Sequence, residues 1–159
     1  MTDHAGRLRL GRWSELQSWA APLRLAVFVH EQGVPIDMEW DEDDALSLHA
    51  VLVGADGAGA ATGRLLPVFQ EGADIGFSRI GRMAVRRDRR GQGLGALVLD
   101  ALLHAAIHRG DAGVLLHAQC SAQGFYAGRG FEPRGDVFDE AGIAHIEMIR
   151  RFAARNSER

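Results

Sequence analysis

The run Arg86-Arg87-Asp88-Arg89-Arg90-Gly91-Gln92-Gly93-Leu94-Gly95 has the makings of a phosphate cradle. Its glycines leave backbone N–H groups with few Cβ atoms in the way. A helix opening at Leu94 adds unpaired N–H donors and the positive end of the helix dipole. Arginine's planar fork suits phosphate oxygens, and Arg82, Arg86, Arg87, Arg89 and Arg90 cluster here. A Walker A loop ends in Gly-Lys-Ser/Thr. This chain reads Gly95-Ala96-Leu97 and contains no lysine. A Rossmann fingerprint needs a wider glycine spacing and an acidic residue after the next strand. Here Gly91, Gly93 and Gly95 alternate, and the next apolar run, Val114 to Ala118, brings His117. Two readings remain: a pyrophosphate cradle, or a glycine-rich turn that packs a helix onto a strand.

Other chemistry-bearing residues are scattered. Tyr126 is the only tyrosine; it is either a core aromatic beside Phe125 and Phe131 or an acid in a site. Asp37, Glu39, Asp41, Glu42, Asp43 and Asp44 form an acidic run, a lip for a cationic ligand or a solvated loop. It lacks the EF-hand's glycine and glutamate spacing. Among the histidines, His4, His104 and His108 are expected to face solvent, and His49, His117 and His145 fall on strands. No His-Glu-x-x-His pattern occurs, so no metal is expected. Cys120, the single cysteine, has no arguable base beside it and reads as a small core residue.

These residues need a scaffold. Ser14-x-x-Gln17 reads as a capping box opening a helical region with Leu16, Trp19, Leu23, Val27 and Phe28, kinked or split by Pro22. Strands are expected at His49 to Val53, Ala61 to Phe69 and Arg79 to Val85, with a turn at Asp56-Gly57. After the glycine loop, Leu94, Leu97, Val98, Ala101, Leu102 and Ala105 share one face at helical spacing, and Gly110 ends the helix. A strand at Val114 to Ala118, a short helix to Gly128, and a hairpin of Phe131 to Phe138 with Ile143 to Ile149 follow. Three antiparallel strands, helix, strand, helix and hairpin make an α+β pattern. At 159 residues, 47% hydrophobic and 25% charged, the chain is expected to be one domain over 1–159. The net charge of −3 gives no reason to expect nucleic acid. No apolar run suggests a membrane span, and a lone cysteine fits a reducing, cytoplasmic compartment.

Two distant motifs resemble the GNAT acetyltransferases. Arg90-x-x-Gly93-x-Gly95 resembles that family's coenzyme A loop, and Phe125-Tyr126-Ala127-Gly128-Arg129-Gly130-Phe131 resembles its Phe-Tyr-x-x-x-Gly-Phe helix and turn. Val27 to Gln32, then Glu39, Asp41, Asp44 and His49, are similar to the ElaA-type branch, as are Ala118-Gln119 and Gly142-Ile143-Ala144-His145 with Met148. The likeness runs from Trp13 to Phe152. It implies the acyl-CoA N-acyltransferase fold: a central, mostly antiparallel sheet flanked by helices, with two neighbouring strands splayed around a pantetheine arm. It implies acetyl-CoA as acyl donor, bound by Met83, Ala84 and Val85, by Arg90, Gly91, Gln92, Gly93, Leu94, Gly95 and Ala96, and by Phe125. It makes Tyr126 the general acid at the thiolate. Glu39, Asp44, Arg82, Gln119 and His145 become acceptor-side residues; Arg82 is equally well read as a salt-bridge partner. Gln119-Cys120-Ser121 stands where the family often has an asparagine, and no glutamate on the strand before Met83 offers itself as the base.

The implied reaction is direct acetyl transfer to a primary amine, small molecule or peptide. An alkyl amine has a pKa of about 10, so roughly one molecule in a thousand is neutral at pH 7. A proton must therefore leave before attack, an oxyanion must be stabilised, and the leaving thiolate protonated. A non-catalytic acyl-CoA-binding module and an acyl-homoserine-lactone-synthase-like acyltransferase are the competing readings. The family's habit of pairing terminal strands raises a homodimer.

Overall fold

The computed structural model describes residues 7–153. Seven strands are hydrogen-bonded in the order β1-β2-β3-β4-β5-β7-β6. They are β1 (Arg7–Gly11), β2 (Leu48–Val53), β3 (Gly59–Leu65), β4 (Phe77–Val85), β5 (Gly113–Gln119), β6 (Glu132–Glu140) and β7 (Ile143–Arg151). Only the β4–β5 pairing is parallel. The helices are α1 (Trp13–Arg24), continued by π-helical turns over Leu25–Glu31, then α2 (Ile36–Glu39), α3 (Asp43–Leu46), α4 (Leu94–Arg109) and α5 (Gln123–Ala127). The chain divides into two compact units. One runs to Leu66 and adds Ile80–His104; the other joins Pro67–Arg79 to the chain from Ala105 onward.

In the first unit, α1 and the π-helical turns cover one face of the sheet. Leu16 and Ala20 pack on Val51 and Val53, and Leu23, Val27 and Phe28 pack on Ala84. On the other face α4 comes so close to β3 that Gly63 is required. A Cβ there would sit 3.0 Å from Leu102, 3.3 Å from Val98 and 2.5 Å from the Met83 sulfur. The buried stripe of α4 is Leu94, Val98, Leu99, Leu102, Leu103 and Ala106. Leu97, expected on that stripe, is exposed: its neighbours at i+1 and i+2 point to the sheet instead.

Helix α1 starts one residue before the expected box. The N-cap is Arg12, and Glu15 rather than Gln17 accepts the reciprocal bond, from the Arg12 N–H at 2.8 Å. Pro22 lies inside α1, and π-helical turns follow it from Leu25. Strand β1 has no counterpart in the sequence reading. The acidic run, read mostly as loop, forms α2 and α3. His4 lies outside the described residues.

In the second unit β5 pairs with β7, and β7 with β6. Parallel pairing joins Phe77–Arg79 to Gly113–Leu115 and ends there. Ile80 to Val85 pairs with β3, and Leu116 to Gln119 with β7. Asp111 fixes the segment between α4 and β5, accepting from Ser78 Oγ at 2.7 Å and from Arg109. Among the described residues no helix is long and apolar enough to cross a membrane.

Candidate active site

The glycine loop joins β4 to α4. Gly91 and Gly93 take φ of +81° and +79°, the left-handed region that a Cβ disfavours. A Cβ at either would meet no protein atom within 4 Å, so the space over the loop is open. Among the described residues no backbone acceptor is bonded to the N–H groups of Gly91 through Ala96; Leu97 N–H is the first to find one, Gly93 O at 3.2 Å. Six successive donors thus line the start of a 16-residue helix. That array fits a pyrophosphate. Arg90 itself is tied down: Nε donates to Val85 O at 3.0 Å, and the two Nη groups grip Glu31 at 2.6 and 2.7 Å. The fork holds the Glu31 carboxyl below the usual range. Arg90 therefore fastens the loop to β4 and to the end of the π-helical turns.

Met83, Ala84 and Val85 close β4 ahead of this loop. Thr62 pairs with Ala84 but Arg64 with Gly81, so β4 carries one extra residue, a bulge. Arg82 sits in it at φ +53°, a strained conformation for a residue that carries a Cβ. Its guanidinium reaches the carbonyls of Met38 and Glu39 (3.4 and 3.2 Å) and Asp41 Oδ2 at 3.1 Å. Burial lowers its pKa from the usual arginine value.

Glu39 and Asp44 lie in the same network, turned to arginines rather than to open solvent. Arg24 is 1% exposed, Glu39 2% and Asp44 4%. Arg24 Nε donates to Glu39 Oε2 at 2.5 Å and its Nη1 to Asp44 Oδ1 at 2.8 Å. Arg64 Nη1 donates to Asp44 and Asp41 at 2.8 and 2.7 Å. Trp13 and Trp40 lie 5.0 and 5.3 Å from the Arg24 guanidinium, a double cation–π contact. Arg24, Arg64 and Arg82 balance Glu39, Asp41 and Asp44, which is what buried charges require. Burial raises the Glu39 carboxyl above its ordinary range; Arg64 brings Asp41 down to about 2. The acidic run signalled half of this network. Arg24, Arg64 and the two tryptophans were not singled out, because only tertiary contact joins them.

The second unit holds Gln119, Phe125, Tyr126 and His145. Gln119 ends β5 and pairs with His145 of β7. A turn at Cys120–Ala122 then leads into α5 and Tyr126. Tyr126 is 8% exposed, with the edges of Phe125 and Phe131 packed against it at 5.0 and 5.9 Å. Its hydroxyl has no hydrogen bond to a described residue. Burial pushes its pKa up to about 12, so the proton stays on oxygen at neutral pH. His145 Nδ1 lies 2.7 Å from Ile143 O, and its ring stacks on Phe138. His117 bonds to Arg79 and Glu140 instead. Among the described residues no group of three metal-ligating side chains is gathered.

Comparison with known proteins agrees with this geometry. The acetyltransferase (GNAT) domain family matches residues 47–152. The uncharacterised N-acetyltransferase YjcF of Bacillus subtilis (strain 168) is 33% identical over 130 residues, covering 80% of this chain and 87% of YjcF. The crystal structure of Escherichia coli ElaA superposes with a TM-score of 0.80 at 31% identity, over 91% of this chain and 99% of ElaA. An acyl-CoA N-acyltransferase from Pseudomonas aeruginosa gives 0.79 at 32%, over 91% and 98%. With a family match over residues 47–152 and an open glycine loop before α4, the chain belongs to the GNAT acetyltransferase family and is an acyltransferase.

Proposed function

We propose that the protein is an N-acetyltransferase that takes acetyl-CoA as donor and moves the acetyl group directly to a primary amine while both are bound. The observation that carries this is the row of unbonded N–H groups from Gly91 to Ala96, opened by two left-handed glycines. Bound there, acetyl-CoA supplies a thioester whose carbonyl carbon accepts the amine and whose sulfur departs. The chain's residues do the rest. The loop N–H groups and the α4 dipole hold the diphosphate. Met83, Ala84 and Val85 offer strand-edge groups to the pantetheine and an N–H to the thioester oxygen, and Phe125 adds apolar contact. The Arg82 bulge, braced by Met38, Glu39 and Asp41, fixes the direction of that N–H. Tyr126 keeps its proton at Oη until a thiolate needs it. Gln119 and His145 contact the acceptor.

The single cysteine fits action in the cytoplasm, and a homodimer is checked by light scattering. The test of function is titration of acetyl-CoA into the wild type and Tyr126→Phe, with thiol release measured in each. The reading expects equal affinity and a kcat lowered about a hundredfold or more in the variant. Equal turnover removes Tyr126 from the mechanism. A folded wild type that does not bind acetyl-CoA removes the whole reading and leaves the loop as a packing turn.

A further inference from the structure

Two histidines of the second unit share one glutamate, but hydrogen bonding fixes the tautomer of only one of them. His145 brings Nδ1 to 2.7 Å from the Ile143 carbonyl oxygen. A carbonyl only accepts, so Nδ1 carries the proton and, in the neutral ring, Nε2 carries the lone pair. That Nε2 lies 4.0 Å from Glu140 Oε2. His117 differs: its Nδ1 stands between Arg79 Nη2 at 2.7 Å, which only donates, and Glu140 Oε1 at 3.1 Å, which only accepts, so its contacts single out neither tautomer; its Nε2 lies 3.9 Å from Glu147 Oε2.

The charged surroundings separate the two rings further. Protonating His117 at Nδ1 sets an imidazolium against Arg79, with Glu140 Oε1 at 3.1 Å as partial compensation. Protonating His145 at Nε2 sets one beside Glu140 alone. The groups around this pair are Arg79 on β4, His117 and Gln119 on β5, Phe138 and Glu140 on β6, and Glu147 on β7. Arg134 pairs with Glu147 at 2.8 Å and leaves Glu140 to the histidines. Phe138 stacks on His145 at 5.9 Å and meets His117 edge-on at 5.0 Å, so neither ring turns freely. His145 is also the register partner of Gln119, where β5 hands over to the turn and helix of Tyr126.

We propose that His145 Nε2 is the base that takes the proton from the incoming ammonium group. This rests on the N-acetyltransferase reading, since only an amine acceptor arrives with that proton. The ammonium gives one proton to Nε2 and keeps the electron pair, which forms the N–C bond to the acyl carbon. The C–S bond breaks with its pair on sulfur, and sulfur takes a proton from Tyr126 Oη. The nitrogen, now bonded to the acyl carbon, returns its surplus proton to the Tyr126 oxygen. The proton on His145 passes to solvent, so the sum is amide, free thiol and one released proton.

Two measurements test this. Nitrogen-edited NMR of the wild-type protein alone should find neutral His145 protonated at Nδ1; a neutral His145 protonated at Nε2 overturns the proposal. Steady-state assays then use benzylamine, ethanolamine and a dipeptide amide with acetyl-CoA. His145→Gln should lower kcat on these roughly 10²- to 10⁴-fold with unchanged acetyl-CoA affinity. It should spare hydroxylamine, whose nitrogen is already unprotonated at neutral pH. The wild-type rate should rise with pH along an acidic limb that His117→Gln keeps and His145→Gln loses. Wild-type kcat and an unchanged limb in His145→Gln overturn the assignment alone. A wild type that acetylates no amine overturns the N-acetyltransferase reading and this proposal with it.

Discussion

Gly93→Ala and Gly57→Ala form a matched pair that separates strain from binding. Both glycines are left-handed, at φ +79° and +83°, and a Cβ at either meets no protein atom within 4 Å. Gly57 lies in the β2–β3 turn, Gly93 in the loop before α4. A Cβ in this region costs about 1 kcal/mol or somewhat more, so each variant should lose about 2–4 °C of melting temperature. Only at Gly93 does the added methyl enter the space given to phosphate. Losing one charge-assisted N–H···O bond costs about 1.5–3 kcal/mol, a roughly ten- to hundredfold weaker affinity. The assay is acetyl-CoA titration by calorimetry beside thermal melts of all three proteins. Equal affinity in wild type, Gly57→Ala and Gly93→Ala, with the expected loss of stability in both variants, would refute the cradle.

The buried network and the tyrosine give two more expectations. Arg24→Met leaves Glu39 and Asp44 buried without their shared cation and should cost about 3–5 kcal/mol in urea unfolding; a loss under about 1 kcal/mol would mean Arg64 and Arg82 suffice. Tyr126 has a folded pKa of about 12 against about 10 when unfolded, so between those values the unfolded chain has lost the proton that the folded chain keeps. Folding stability should therefore fall as pH rises from about 10 to 12, by about 2–3 kcal/mol, and Tyr126→Phe should lack that component.

Local signals carried the parts of the fold that were legible. The glycine loop, α4 with its Gly110 stop, and the hairpin around Asp139 to Gly142 each depend on residues close in sequence, and each is present. Strand β1 was missed because four residues alternating arginine and leucine before a glycine signal little until β2 pairs with them. The bulge at Arg82 has no turn chemistry of its own; carbonyls some forty residues earlier hold it. Arg24 reads as a cationic helix end, the ordinary partner of the C-terminal dipole, and only Glu39, Asp44, Trp13 and Trp40 draw it inside. The acceptor-side candidates divide on the same principle. His145 shows its character through one backbone carbonyl two residues away, whereas the surroundings of Glu39 and Asp44 come from three separate elements.

The central claim is group transfer from acetyl-CoA to an amine, and amine-dependent thiol release by the wild-type protein tests it most directly. Mass spectrometry of the same mixtures identifies the product. The account predicts that at least one primary amine drives thiol release above the rate with acetyl-CoA alone and gains one acetyl group on nitrogen. Thiol release that no amine accelerates, from a folded protein that binds acetyl-CoA, would contradict it.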